Sequence, residues 1–251
     1  MDIVNDFKIL VKNDKLLLSI SGCEEFDISL YEKKFKELNI SDDNKILLEK
    51  NILIFLGKQF HFVDGTEGQM SLPIKYGQSF QSLHKELTFF PGTFDPLHDG
   101  HLECLKQCPN QNILIMPDYN PWKEDYQREL SPLRSYLDLV ELMKETTYKV
   151  FPGFLGLDHI NPTVHWLPEV FVEHKNLLMG ADTFMSMEQW KEPAKLLNSI
   201  HKLFVLARKI NIEHLEAKSK IMKQSYPDLE ICLFRTNPHE HLSSSELRLK
   251  K

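Results

Sequence analysis

Several broad classes of protein are excluded by what this chain has little of. Four cysteines in 251 residues (Cys23, Cys104, Cys108, Cys232), irregularly spaced, are too few for a disulfide framework, and a chain of this size does not need one. The most apolar stretch, Ile52–Leu56, is far too short to cross a bilayer. There is no basic surplus: 30 Lys and Arg stand against 36 Asp and Glu, a formal net charge of −6. A protein that grips nucleic acid by a broad basic face is therefore not expected, since such binding rests on neutralising many phosphates. A small-molecule phosphate site needs only a few aimed donors and stays open. Ten glycines and 13 prolines are ordinary usage and argue against collagen-like or low-complexity chains. The opening Met-Asp-Ile-Val-Asn-Asp-Phe-Lys has no basic stretch leading into an apolar core, so no secretory signal is expected. The reading is a soluble cytoplasmic protein with reduced thiols, without nucleic-acid or membrane partners, built as one large or two small domains.

What is present is unevenly placed. Nine of the 11 histidines, all three tryptophans and 12 of the 13 prolines follow residue 86, while the charge of the two parts does not differ. We divide the chain there. Residues 1–86 read as a small α/β extension: Leu16–Ile20 as a strand, Ile28, Tyr31, Phe35 and Leu38 at helical spacing, Ile46–Leu56 as an apolar run of either type, and a helix over Ser79–Glu86. They carry no chemical motif. Residues 87–251 alternate, with strands at Leu87–Phe90, Ile113–Met116, Leu177–Met179, Leu203–Ala207 and Leu229–Phe234. Helices are read up to about Lys106 and at Arg134–Lys144, Val170–Glu173 with its flanks, Met185–Leu197, Ile212–Lys223 and Ser243–Lys250. This alternation predicts an α/β domain: a doubly wound, mostly parallel sheet covered on both faces, with ligands at the carboxyl ends of its strands.

The segment richest in chemistry is Phe90-Pro91-Gly92-Thr93-Phe94-Asp95-Pro96-Leu97-His98-Asp99-Gly100-His101. A buried strand ends at Gly92, where the absent side chain lets a ligand approach the backbone. Thr93 adds a hydroxyl and an amide, and Asp95-Pro96 turns the chain. His98 and His101 stand three apart where a helix begins, a place whose free amides and positive pole suit an anion. Two imidazoles there can each donate to a phosphoryl oxygen.

This segment resembles the first-strand signature of the nucleotidylyltransferase superfamily, Gly-(Ser/Thr)-Phe-(Asp/Asn)-Pro followed by a His-x-Gly-His tetrad, which His98-Asp99-Gly100-His101 matches. Met179-Gly180-Ala181-Asp182, with Trp190 downstream, resembles the Gly-x-Asp…Trp signature of its nicotinate/nicotinamide mononucleotide adenylyltransferases. Leu242-Ser243-Ser244-Ser245-Glu246-Leu247-Arg248 is similar to their Ile-Ser-Ser-Thr-x-Ile-Arg, and is also a capping box at a helix start. The resemblance covers about residues 87–251. It implies a Rossmann-like fold and transfer of the adenylyl group of ATP to the mononucleotide, with pyrophosphate released. Mg²⁺ is implied on the triphosphate, and no protein-bound metal.

On the resemblance, His98, His101 and Arg248 stabilise charge in the transition state. Gly92, Thr93, Phe94, Lys123, Arg208, Ser243 and Ser244 fall on the ATP and phosphate side; Gly180, Asp182, Trp190 and Thr163 fall on the nucleotide and pyridine side. Lys123 lies in Asn120-Pro121-Trp122-Lys123, similar to the family's proline-rich loop. Asn161–Leu167 looks like a shortened form of the segment that lines the pyridine site, with Thr163 or Trp166 as the contact that the resemblance implies there.

Other readings stay open at this point: the same fold with another acceptor such as pantetheine phosphate, or a non-catalytic nucleotide sensor. Residues 1–86 could oligomerise the protein or regulate it. A zinc set drawn through His98, His101, Cys104 and Cys108 follows no usual spacing, and Cys104 and Cys108 read instead as packed apolar residues. His239-Glu240-His241, after Asn237-Pro238, reads as loop.

Overall fold

The computed structural model describes residues 6–13, 15–60, 85–119, 130–157, 159, 161–207, 210–234 and 238–239. Residues 6–60 form an antiparallel sheet of β1 (Phe7–Lys12), β2 (Lys15–Ile20) and the short β3 (Phe26–Asp27), followed by α1 (Tyr31–Glu37) and α2 (Asp42–Lys58). The apolar run Ile46–Leu56 is thus helical. Leu48, Ile52, Leu53 and Leu56 recur at the spacing that buries one helix face, while Ile46 and Leu47 stay exposed.

The remainder is built on six parallel strands: β4 (Glu86–Gly92), β5 (Ile113–Pro117), β6 (Lys149–Val150), β7 (His174–Gly180), β8 (Lys202–Leu206) and β9 (Glu230–Phe234). Between them run α3 (Asp99–Gln107), α4 (Pro132–Met143), α5 (Thr163–Trp166), α6 (Ala181–Ser186), α7 (Pro193–Leu197) and α8 (Ile212–Ser225). The spatial order is β6-β5-β4-β7-β8-β9, so the first strand of this sheet lies in the middle and the chain winds outward from it in both directions. That is the doubly wound order with its switch point between β4 and β7.

Alternation along each strand divides the core. Phe90, Ile113, Ile115, Leu178, Phe204 and Leu206 face one apolar cluster; Leu87, Phe89, Leu114, Met116, Leu177, Leu203 and Val205 face the other. Both faces are covered. The first cluster runs on without a break into Leu16, Ile20, Tyr31, Phe35, Leu48 and Ile52, so residues 6–60 share a core with the sheet's helical layer. Their attachment is close. A Cβ added to Gly57 of α2 would stand 2.6 Å from Gly153 Cα, and one added to Gly156 would stand 2.7 Å from Lys50 O.

Three local expectations are corrected. Val170–Glu173 is not helical: the helix lies on its N-terminal flank, where α5 runs into a 3₁₀ turn at Leu167–Glu169 that contains Pro168, and the chain then extends into β7. Met185–Leu197 is not one helix either. It breaks around Trp190, where Glu192 takes a φ of 45° ahead of Pro193, whose ring bars the preceding residue from the helical region. Glu86, placed at the end of a helix, instead opens β4, and Lys85 before it lies in a bend; residues 79–84 of that expected helix, and the one over Ser243–Lys250, lie outside the described residues.

Candidate active site

The sheet opens at its carboxyl edge where the order reverses. β4 and β7 pair from Glu86↔His174 only as far as Phe89↔Leu177. Each goes on pairing with its outer neighbour, to Gly92↔Pro117 on one side and Gly180↔Leu206 on the other. The two central strands therefore part over their last three residues, 90–92 and 178–180, and leave a crevice between Gly92 and Gly180.

Each glycine is needed for the group seated over it. A Cβ on Gly92 would lie 2.9 Å from the tip of the Phe94 ring, and one on Gly180 would lie 2.8 Å from Asp182 Oδ1. Phe94 takes a φ of 47°, a left-handed value that costs a bulky residue of order 1–3 kcal/mol. In that conformation its ring is buried edge-on against Phe90 (5.0 Å between centroids) and His101 (5.1 Å). Strain in the backbone is offset by a wedge that fixes His101. The Phe94 side chain is thus a support, and only its main chain can meet a ligand.

His98 and His101 cap α3 reciprocally. Gly100 N–H donates to His98 Nδ1 (3.1 Å), and His98 N–H donates to His101 Nδ1 (3.3 Å). This is a capping box written in imidazole rather than in serine and glutamate. It changes the chemistry expected from the sequence, because these two amides are taken up by the rings. A ring nitrogen that accepts from an amide carries no proton, so in each neutral ring the proton sits on Nε2. The rings stack at 3.8 Å between centroids, 28° from parallel. Charging both at that distance would cost about 4 kcal/mol at an effective dielectric constant near 20. In each ring the cap leaves Nε2 as the nitrogen that can donate, and at His98 that nitrogen is buried. Gly100 is as constrained as they are, since a Cβ there would stand 3.0 Å from the His98 ring.

Other expected residues fall around this pair. Gly180 and Asp182 stand across the crevice at the end of β7, with Asp182 exposed. Thr163 opens α5. Trp190 is half-buried against the second apolar cluster. The carbonyl of His239 lies 3.6 Å from where a Gly100 Cβ would be, so the chain returns to the head of α3 shortly before Ser243; Pro238 and His239 form a turn, in keeping with the loop reading. Lys123, Arg208, Ser243, Ser244 and Arg248 lie outside the described residues. Cys104 and Cys108 are buried in the core, and burial pushes the Cys108 thiol up to about 11, which keeps it protonated. Among the described residues no cluster of three or more His, Cys, Asp or Glu could hold a metal ion.

Sequence reasoning missed Asp118, which directly follows β5. Its N–H donates to Gly92 O (3.0 Å), and its carboxylate accepts from both N–H groups of Asn161, from the backbone at 3.2 Å and from the side chain at 3.1 Å. The available signal was positional: an acidic residue at the carboxyl end of a strand beside the switch point.

Residues 89–250 match the model of the cytidylyltransferase-like family. The chain belongs to the cytidylyltransferase-like family. It is 29% identical over 150 residues to a probable nicotinate-nucleotide adenylyltransferase of Aquifex aeolicus, an alignment covering 56% of this chain and 86% of that protein. A protein of the same name from Leptospira borgpetersenii is 28% identical over 171 residues, 63% of this chain and 81% of its own length. One from Desulfitobacterium hafniense is 25% identical over 175 residues, covering 65% and 83%. No helix among the described residues is long and apolar enough to cross a membrane.

Proposed function

We propose that this chain is a nucleotidyltransferase of NAD biosynthesis that joins ATP to nicotinate mononucleotide, giving the dinucleotide and pyrophosphate. The observation that carries the reading is the imidazole pair locked as Nε2–H donors beside the crevice. The names of the relatives favour the acid form of the mononucleotide over the amide. A phosphate oxygen of the mononucleotide attacks the α-phosphorus of ATP; the bond from that phosphorus to the β-phosphate oxygen breaks and pyrophosphate leaves. The attacking phosphate is largely dianionic at neutral pH, its second pKa being near 6, so no strong base and no covalent intermediate are needed. What remains is alignment and stabilisation of negative charge.

His98 and His101 supply two donors that are already oriented before substrate arrives, so no reorganisation is charged to the reaction step. We assign Arg248, Ser243, Ser244, Lys123 and Arg208 to the phosphates as well, with Thr93 and the main chain at Phe94 beside them. Asp182 takes the ribose hydroxyls, Trp190 offers a ring face to the pyridine, and Thr163 lines the same side. Imidazole N–H donors and amides suit phosphate oxygens rather than a hard cation, so Mg²⁺ is carried by the triphosphate and water. Residues 87–251 perform the transfer, in the cytoplasm, and residues 1–86 serve them as a scaffold.

The test is direct. Purified protein is mixed with ATP and Mg²⁺ and with nicotinate mononucleotide, nicotinamide mononucleotide or pantetheine phosphate in turn, and pyrophosphate and the adenylylated product are measured. Fastest turnover with nicotinate mononucleotide is expected. Turnover with pantetheine phosphate alone, or ATP binding without turnover, would overturn the reading.

A further inference from the structure

Asp118 is tied to the strand that carries the site. Its own amide extends the β4–β5 pairing by one bond, to Gly92 O. Its carboxylate accepts three hydrogen bonds. Oδ1 accepts from Tyr119 N–H (2.7 Å) and from Asn161 Nδ2 (3.1 Å), and Oδ2 accepts from Asn161 N–H (3.2 Å). Bonds to an ionised acceptor are roughly twice as strong as neutral ones, and a two-pronged contact also fixes orientation.

Asn161 is the last residue but one before α5. Pro162 caps that helix, and Pro162 O accepts from His165 N–H (2.8 Å). The far end of α5 is seated separately, by the Trp166 ring against Phe89 (5.5 Å) and Phe154 (5.4 Å). Asp118 therefore sets where the segment Asn161–Leu167 enters, and Trp166 sets where it ends. With the clamp cut, the segment is held only from Val164 onward, by Val164, Trp166 and Leu167.

We infer that Asp118 is a positioning residue for the mononucleotide half of the site, acting through Asn161. The inference rests on the adenylyl-transfer reading for its substrate, but the clamp itself can be read without one. A carboxylate is required because an asparagine at 118 has one acceptor oxygen, and its amide would confront a donor of Asn161.

Asp118→Asn is expected to raise KM for nicotinate mononucleotide about tenfold, the effect of about one lost charge-assisted bond, with KM for ATP within about twofold and kcat little changed. Asn161→Asp sets two carboxylates face to face and is expected to do worse. The exchange D118N/N161D lets the 118 amide donate to the 161 carboxylate, although that amide then also faces Tyr119 N–H, and is expected to bring KM well below that of Asn161→Asp without reaching the wild-type value. Hydrogen exchange at residues 161–167, which needs no substrate, should quicken in D118N and recover in part in the double variant. Equal rises in both KM values, failure of the exchange to rescue, or unchanged hydrogen exchange in D118N would each overturn the clamp. Absence of adenylyl transfer in the wild type would instead sink the proposed function, and the exchange experiment would still judge Asp118.

Discussion

Two helix starts in this molecule are capped by different chemistry, α4 from across the fold and α3 by its own first turn. In the region built by residues 6–60, Glu49 of α2 is fully buried and accepts from Leu133 N–H at the head of α4, beside the cap made by Ser131, whose hydroxyl also meets Tyr31 Oη at 3.1 Å. At the carboxyl edge of the sheet, α3 is capped by His98 and His101. Serine and a carboxylate are ordinary caps, and here they join one part of the molecule to another. Imidazole is a poor choice for a cap alone. Its use there leaves each ring with one nitrogen held by the backbone and the other defined as a donor. A capping group that serves only the helix is chosen for the helix; one that is unusual for the helix was selected for something else.

The sharpest way to break this comparison is to remove one group from each side. His101→Ala should lower kcat at least about a hundredfold, on the scale of one preorganised donor, while the melting temperature changes little. Steady-state turnover and a thermal melt on the same sample decide it. Gly57→Val should do the reverse. Its branched side chain meets the Gly153 backbone, so unfolding free energy should fall by about 3 kcal/mol, at the upper end of overpacking costs, with kcat per folded molecule retained.

Glu49→Ala removes the buried cap and should cost about 1–3 kcal/mol in denaturant unfolding. Glu49→Gln keeps an acceptor for Leu133 and should cost less; its signature is in pH. Burial holds the Glu49 carboxyl above its ordinary value of 4.5, so the folded protein keeps a proton that the unfolded chain gives up. That contribution is complete below about pH 4.5 and is lost as pH rises through the raised value. The wild type should therefore lose stability toward neutral pH more steeply than Glu49→Gln, and parallel curves would remove Glu49 from the account.

Much of this arrangement was legible before any coordinates. The strands at Leu87–Phe90, Ile113–Met116, Leu177–Met179 and Leu203–Ala207 announce themselves as short apolar runs between helices, and that alternation is enough to imply a parallel sheet. Gly92, His98 and His101 were legible because they are neighbours in sequence. The helical choice for Ile46–Leu56 was not, since a run of apolar residues has no period of its own until one face finds a partner in the sheet's helical layer. Pro168 and Pro193 decide Val170–Glu173 and Met185–Leu197, and each outweighs an apolar spacing that pointed to helix. The place of Asp118 at a strand end was legible but its role was not, because its partner is 43 residues away and only folding brings the carboxylate to Asn161. Separation along the chain hides Glu49 too, which is 84 residues from the amide that donates to it.

The central claim is that His98 and His101 are neutral donors through Nε2, held so by amides on Nδ1. Long-range ¹H–¹⁵N correlation spectra of the protein labelled at histidine read this tautomer at each ring. Both rings should show a protonated Nε2 and an unprotonated Nδ1 at neutral pH, and both Nε2 signals should move when a non-hydrolysable ATP analogue with Mg²⁺ is added. A proton on Nδ1 of either ring, or Nε2 signals indifferent to the analogue, would contradict the account.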